Sequence, residues 1–133
     1  MKKGFTLLEL IVVIIIIGIL ATLGITQYAS TVERSRVAEA KANLGSLRTL
    51  QLAYFQDKDE YASVANLEAN LPTDTCTSQY YFKYSCDAGG NGTGECTATR
   101  CGSAENGKSP GYTGNAYNIR LEINGEWNSD AGW

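Results

Sequence analysis

The chain has 133 residues, enough for one small domain but too few to surround a long, wholly apolar helix. Its 11 basic and 14 acidic side chains give a formal charge of −3, which argues against a broad nucleic-acid surface. It contains no histidine, so the commonest general base and metal ligand are both missing and catalysis is disfavoured.

Lys2 and Lys3 lead into Gly4-Phe5-Thr6-Leu7-Leu8-Glu9, and a long apolar run follows. Phe5 to Ile25 supplies 21 residues, against about 20 needed for a membrane-spanning helix. The two lysines mark the side that stays cytoplasmic. A secretory signal peptide would carry a small-residue cleavage site after the apolar stretch; the plausible cut here, Gly4-Phe5, lies before it and would leave that stretch attached. Glu9 is the only charged side chain between Phe5 and Val32. A carboxylate in hydrocarbon costs roughly 2.5 kcal/mol or more and is a functional candidate by default. A plain anchor gains nothing from it, whereas a stacking subunit can use it to set register.

These residues resemble the N-terminus of type IV pilins and of their relatives, the pseudopilins of type II secretion. Lys2-Lys3-Gly4 looks like the short basic leader and glycine that a prepilin peptidase reads. By that resemblance Phe5 is the mature first residue, methylated on its new amine, and Glu9 is the family's intramembrane glutamate. Gly18 matches a glycine common in the apolar core. One departure is that many relatives carry a helix-distorting proline soon after the apolar run, where this chain has Thr26, with Gly24 close by. The resemblance implies a subunit held in the inner membrane and then polymerised by pilus assembly machinery. Because an unpaired charge there is penalised, Glu9 is expected to meet a neighbour's Phe5 amine and set the axial register.

From Ala29 to about Gln56 the pattern turns amphipathic. Val37, Ala40, Leu44, Leu47, Gln51 and Tyr54 recur three and four apart, and Leu50 and Ala53 are expected to widen the stripe. One long helix is therefore expected from near Phe5 to near Gln56, with Gly24, Thr26 and Gly45 as its weak points. The acidic trio Asp57, Asp59 and Glu60 ends it, without an EF-hand loop, and reads as a solvated terminus. Val64 to Leu71 is expected to add a short helix before Pro72.

Beyond Pro72 the chain reads as a β-domain. Tyr80 to Ser85 is an aromatic-rich candidate strand. Residues 87–115, with eight of the 14 glycines, read as exposed loops. Tyr117, Ile119, Leu121 and Ile123 alternate with polar residues, and Asn124-Gly125 follows, which predicts a type I′ hairpin returning through Glu126-Trp127-Asn128. Its apolar side is the natural partner of the helix stripe.

Cys76, Cys86, Cys96 and Cys101 make an even count on the exported side of the anchor and read as two disulfides. Three connectivities are possible. Cys76–Cys86 with Cys96–Cys101 is favoured because both close short local loops; a four-cysteine zinc site is the alternative, unsupported by any Cys-x-x-Cys knuckle. Asn91-Gly92-Thr93 matches a glycosylation sequon of the kind that glycine-rich loops readily yield.

The expected fold class is α+β and type IV pilin-like. A leader (1–4) is followed by a hydrophobic half-helix (5–28), an amphipathic half-helix (29–56) and a β head (57–133). The expected function is a structural subunit, not an enzyme and without cofactor or metal, that assembles into a helical homo-oligomeric filament on the cell surface. A pseudopilin and a monomeric membrane-anchored binding module are the rival readings.

Overall fold

The structure, a computed structural model, describes residues 4–131. It comprises one α-helix, α1 (Leu7–Lys58), a short 3-10 helix (Val64–Leu67), and strands β1 (Phe82–Cys86), β2 (Cys96–Arg100), β3 (Asn118–Leu121) and β4 (Trp127–Ser129). The chain divides into two compact units, Met1–Ser35 and Arg36–Trp133.

In the first unit every residue of the run from Leu7 to Ile25 is exposed, its large hydrophobic side chains from Ile11 at 44% to Leu7 at 76%. An 18-residue window there has a mean hydropathy of 2.9, so by length and composition this helix can cross a membrane.

In the second unit α1 lays its stripe on the sheet. Val37, Ala40, Leu44 and Leu47 are buried in one cluster with Phe82, Tyr84, Ala98, Ile119 and Leu121. Each large side chain so buried contributes about 1.5–3 kcal/mol. The stripe is narrower than its sequence implies, because Leu50 stays 38% exposed and Ala53 is exposed too. They lie off the line of closest approach to the sheet. Gln51, the polar member of the stripe, is fully buried. Its Nε2 donates to the Ala62 carbonyl at 2.6 Å and its Oε1 accepts the Ala62 N–H at 2.9 Å, tying the returning chain to the helix. α1 stops at Asp59, whose φ of 58° is left-handed and whose N–H caps the Phe55 carbonyl.

The four strands form an antiparallel sheet in the order β1-β2-β3-β4. Phe82 and Tyr84 point inward from β1; opposite them, β2 buries Cys96, Ala98 and Arg100. Tyr84 accepts a hydrogen bond on its hydroxyl from Asn43 of α1 at 2.8 Å. β2 corrects the expectation that residues 87–115 are loops throughout. Its inward positions hold a cysteine, an alanine and an arginine, which give no apolar alternation to detect. The helix expected over 64–71 is only the four-residue 3-10 turn.

The hairpin between β3 and β4 forms where Asn124-Gly125 foretells it, but not as a type I′ turn. Gly125 alone of that pair has a positive φ, 98°, and its N–H closes on the Glu122 carbonyl while Glu122 pairs with Glu126. This is a three-residue loop completed by a left-handed glycine. The Asn124 side chain accepts the Glu126 N–H at 2.8 Å and so favours the longer loop.

The disulfides are Cys76–Cys101 and Cys86–Cys96, which overturns the favoured local pairing. The β1–β2 register sets Cys86 directly opposite Cys96. That leaves Cys101, one residue past β2, to take Cys76 from the loop before β1.

Candidate assembly site

Gly4, Phe5 and Thr6 precede the first helical residue, and Phe5 is 89% exposed. Around Gly4 an added Cβ would meet nothing within 4 Å. The Gly4–Phe5 peptide bond thus lies outside regular structure.

Thr6 and Glu9 form a reciprocal cap on α1. The Thr6 N–H and Oγ1 each donate to Glu9 Oε2 at 2.8 Å, and the Glu9 N–H donates to Thr6 Oγ1 at 3.3 Å. The residue types explain the arrangement, since a threonine at the N-cap and a glutamate three positions on satisfy each other's backbone donors. Sequence reasoning singled out Glu9 for its burial cost and passed over Thr6; the Thr-x-x-Glu spacing was the available signal. In this arrangement Glu9 already has partners before any processing exposes an amine at Phe5. Further along, Thr22 turns its hydroxyl back onto the Gly18 carbonyl at 2.9 Å, hiding that polar group from an apolar surrounding.

In the second unit the loops around the sheet are held by side chains rather than by a core of their own. Arg100 is fully buried. Its guanidinium donates to the carbonyls of Tyr81 at 3.0 Å and Cys101 at 3.1 Å, and reaches that of Pro110 at 3.5 Å. The rings of Tyr81, Phe82 and Tyr112 lie 5.3, 5.5 and 5.7 Å from it. Nothing local in the sequence marks it, because its partners come from three separate segments.

Exposed carboxylates do similar work. Asp87 takes the N–H and hydroxyl of Thr93, which hold it below the usual carboxylate range. Glu105 is lowered first by the Gly102 N–H and then by Lys83, its ion-pair partner at 3.1 Å.

Cys76, Cys101 and Glu105 place potential ligand atoms within 4.8 Å of one another. Both cysteines are joined in a disulfide, so no thiolate is available there. The same bonding removes all four cysteines from the zinc alternative. Of the acidic trio, Asp57 pairs with Lys58 at 3.0 Å, and Asp59 and Glu60 stand exposed.

A capped, wholly exposed apolar helix with one carboxylate, joined to a small disulfide-bonded α+β unit, defines the class: a small domain displayed on a helix fit for lipid or for packing with its like. Residues 1–25 match the family model of the prokaryotic N-terminal methylation motif. A fimbrial protein of Pseudomonas aeruginosa is 31% identical over 137 aligned residues, covering 96% of this chain and 84% of that protein. The type IV major pilin of Myxococcus xanthus is 40% identical over 88 residues, or 66% of this chain. A type IV major fimbrial protein of Dichelobacter nodosus is 47% identical over 49 residues. The match spans only 39% of the Myxococcus protein's length and 31% of the Dichelobacter protein's. No solved structure gives a significant match. The chain belongs to the type IV pilin family, a family of structural subunits.

Proposed function

We propose that this chain is a prepilin, cut after Gly4 by a prepilin peptidase, methylated at Phe5 and held in the inner membrane by its apolar helix. It then polymerises through that helix into a type IV pilus on the cell surface. The observation that carries the reading is a run of apolar side chains with none of its window buried, whose one charged member is the capped Glu9. In this proposal residues 1–4 are the leader, 5–28 the filament-core half of the helix, 29–56 its amphipathic half and 57–133 the head. No nucleic-acid partner is invoked.

Within a filament the Glu9 carboxylate would meet a neighbour's Phe5 amine. The Thr6 cap supports this in a specific way: it provides for the carboxylate during insertion, and the freed ammonium, a charge-assisted donor, competes for it afterwards. A misregistered neighbour would leave a charge unpaired in apolar surroundings, which is strongly penalised.

The test is intact mass of wild type and variants from the native cell, in membrane and sheared-surface fractions. Wild type should lose Met1 to Gly4, gain one methyl group and appear in the sheared fraction. Glu9→Gln keeps an acceptor for the Thr6 cap but no charge, so it should insert normally and be depleted from sheared filaments. Filaments of normal abundance from Glu9→Gln would refute the pairing. Processed wild type confined to the membrane would favour a pseudopilin, and an unprocessed chain a plain anchored module.

A further inference from the structure

Asparagine followed by glycine occurs three times in the chain, at Asn91-Gly92, Asn106-Gly107 and Asn124-Gly125. All three asparagines are exposed. Such a pair is chemically labile, because a glycine nitrogen, unshielded by a side chain, can attack the Cγ of the preceding asparagine. The new C–N bond closes a succinimide, the Cγ–Nδ2 bond breaks and ammonia leaves. Water then opens the ring to aspartate or isoaspartate, so no oxidant or cofactor is required. The attack needs the glycine N–H to give up its hydrogen bond and the asparagine side chain to swing onto it. Both are local openings, whose cost depends on what holds each loop.

The three glycine N–H groups are alike in that each closes a turn: Gly92 on the Gly89 carbonyl at 3.0 Å, Gly107 on that of Glu105 at 2.8 Å and Gly125 on that of Glu122 at 2.9 Å. Their surroundings differ. The Asn124 side chain is pinned, its Nδ2 donating to the Glu122 and Glu126 carboxylates at 3.1 and 3.3 Å and its Oδ1 accepting the Glu126 N–H at 2.8 Å. Those carboxylates also oppose the oxyanion that forms at Cγ during the attack. Asn106 lies in a clamped loop. Gly107 is packed so closely that an added Cβ would stand 2.6 Å from Cys101 Cβ. On one side of that pair Glu105 is ion-paired with Lys83 at 3.1 Å, and on the other the Lys108 N–H donates to the Tyr80 carbonyl at 2.9 Å.

Asn91 has neither restraint. Its side chain makes no hydrogen bond among the described residues. Its loop is anchored at Gly89, whose N–H donates to the Tyr61 carbonyl at 2.7 Å, and at Thr93, whose N–H donates to Asp87 Oδ2 at 2.8 Å. Between those anchors run Gly90, Asn91 and Gly92. A Cβ built on Gly90 would meet nothing within 4 Å, and one on Gly92 would meet only Ala88 and Gly89 of the same turn. We propose that Asn91 is a spontaneous modification site, deamidating through a succinimide, while the fold protects Asn106 and Asn124. The product puts a carboxylate, or an isoaspartate with its lengthened backbone, into the loop before β2. It also consumes the asparagine of Asn91-Gly92-Thr93, so a glycan there and deamidation exclude each other. The inference is independent of the filament reading.

The test is peptide mapping by mass spectrometry of the detergent-solubilised full chain, disulfides intact, aged at mildly alkaline pH and sampled over days. A second sample is aged after reduction and unfolding in guanidinium chloride. In the folded protein Asn91 should convert at least about tenfold faster than Asn106 or Asn124, the factor expected when the slower sites have one or two more restraints to break. In the unfolded sample the three should fall within about threefold of one another, each then being an Asn-Gly pair in an open chain. Asn106 or Asn124 converting as fast as Asn91 in the folded protein would overturn the proposal, as would an Asn91 that stays intact there. The same lead for Asn91 in the unfolded chain would overturn it too, by placing the selectivity in the flanking residues and not in the fold.

Discussion

Replacing Gln51 separates two accounts of why a polar side chain sits in the apolar stripe of α1. Its carboxamide makes two hydrogen bonds with the backbone of Ala62, at 2.6 and 2.9 Å, and both residues are buried, at 0% and 2% exposure. If Gln51 serves only to fill space, Gln51→Leu, close to it in volume, should be neutral. If it serves to satisfy Ala62, leucine strands a buried N–H and a buried C=O, each costing about 1–3 kcal/mol. The geometry supports the second account, so Gln51→Leu should lose about 2–5 kcal/mol. Gln51→Ala should lose at least as much, since a cavity adds to the same two orphaned groups.

The assay is urea unfolding of the full chain in detergent, with disulfides intact, followed by near-ultraviolet circular dichroism of the head's aromatic side chains. With m between about 1 and 3 kcal/mol per molar urea, the leucine variant should shift the midpoint down by about 1 M or more. An unchanged m would show that the native state was weakened and not the two-state behaviour lost. Gln51→Leu with a wild-type midpoint, alongside a strongly destabilised Gln51→Ala, would refute the hydrogen-bond account and leave packing as the whole explanation.

Two further predictions concern pH. Burial pushes the Tyr84 hydroxyl up to about 12, above its ordinary value of 10.0. Because the folded value is the higher, the stability it contributes is intact below pH 10 and is lost as pH rises toward 12; an absorbance titration at 295 nm should show a late-ionising tyrosine that Tyr84→Phe removes. Asp130 is held below its ordinary 3.8 first by the Asn118 amide at 2.9 Å and then by Arg120. Its contribution is present above about pH 4 and lost as pH falls through the lowered value, so Asp130→Asn should lower stability slightly at neutral pH, leave it nearly unchanged at the acid end and so flatten the acid limb of a stability–pH curve.

How far the sequence could be read depended on whether each residue's partner was local. The N-terminal segment was legible because its signals, an unbroken apolar run and one carboxylate, need no tertiary context. The helix stripe was legible from its spacing, as were β1 and β3 from their aromatic and alternating residues. β2 was not, because its inward side is Cys96, Ala98 and Arg100, and an arginine at a core position reads as surface until the carbonyls of Tyr81, Cys101 and Pro110 are brought around it.

The disulfides follow from that same omission. Short loops favoured Cys76–Cys86 and Cys96–Cys101 only while residues 87–115 were read as unstructured. Once β2 pairs with β1 in the register that opposes Phe82 to Arg100, Cys86 meets Cys96 and the other pair has no alternative. Connectivity in this head is thus a consequence of strand register, and the bridges fasten an arrangement that the sheet has already selected. Thr6 shows the converse. Its partnership with Glu9 is local and lay in plain view three residues away, but attention to what the carboxylate would do between chains obscured what it does within one.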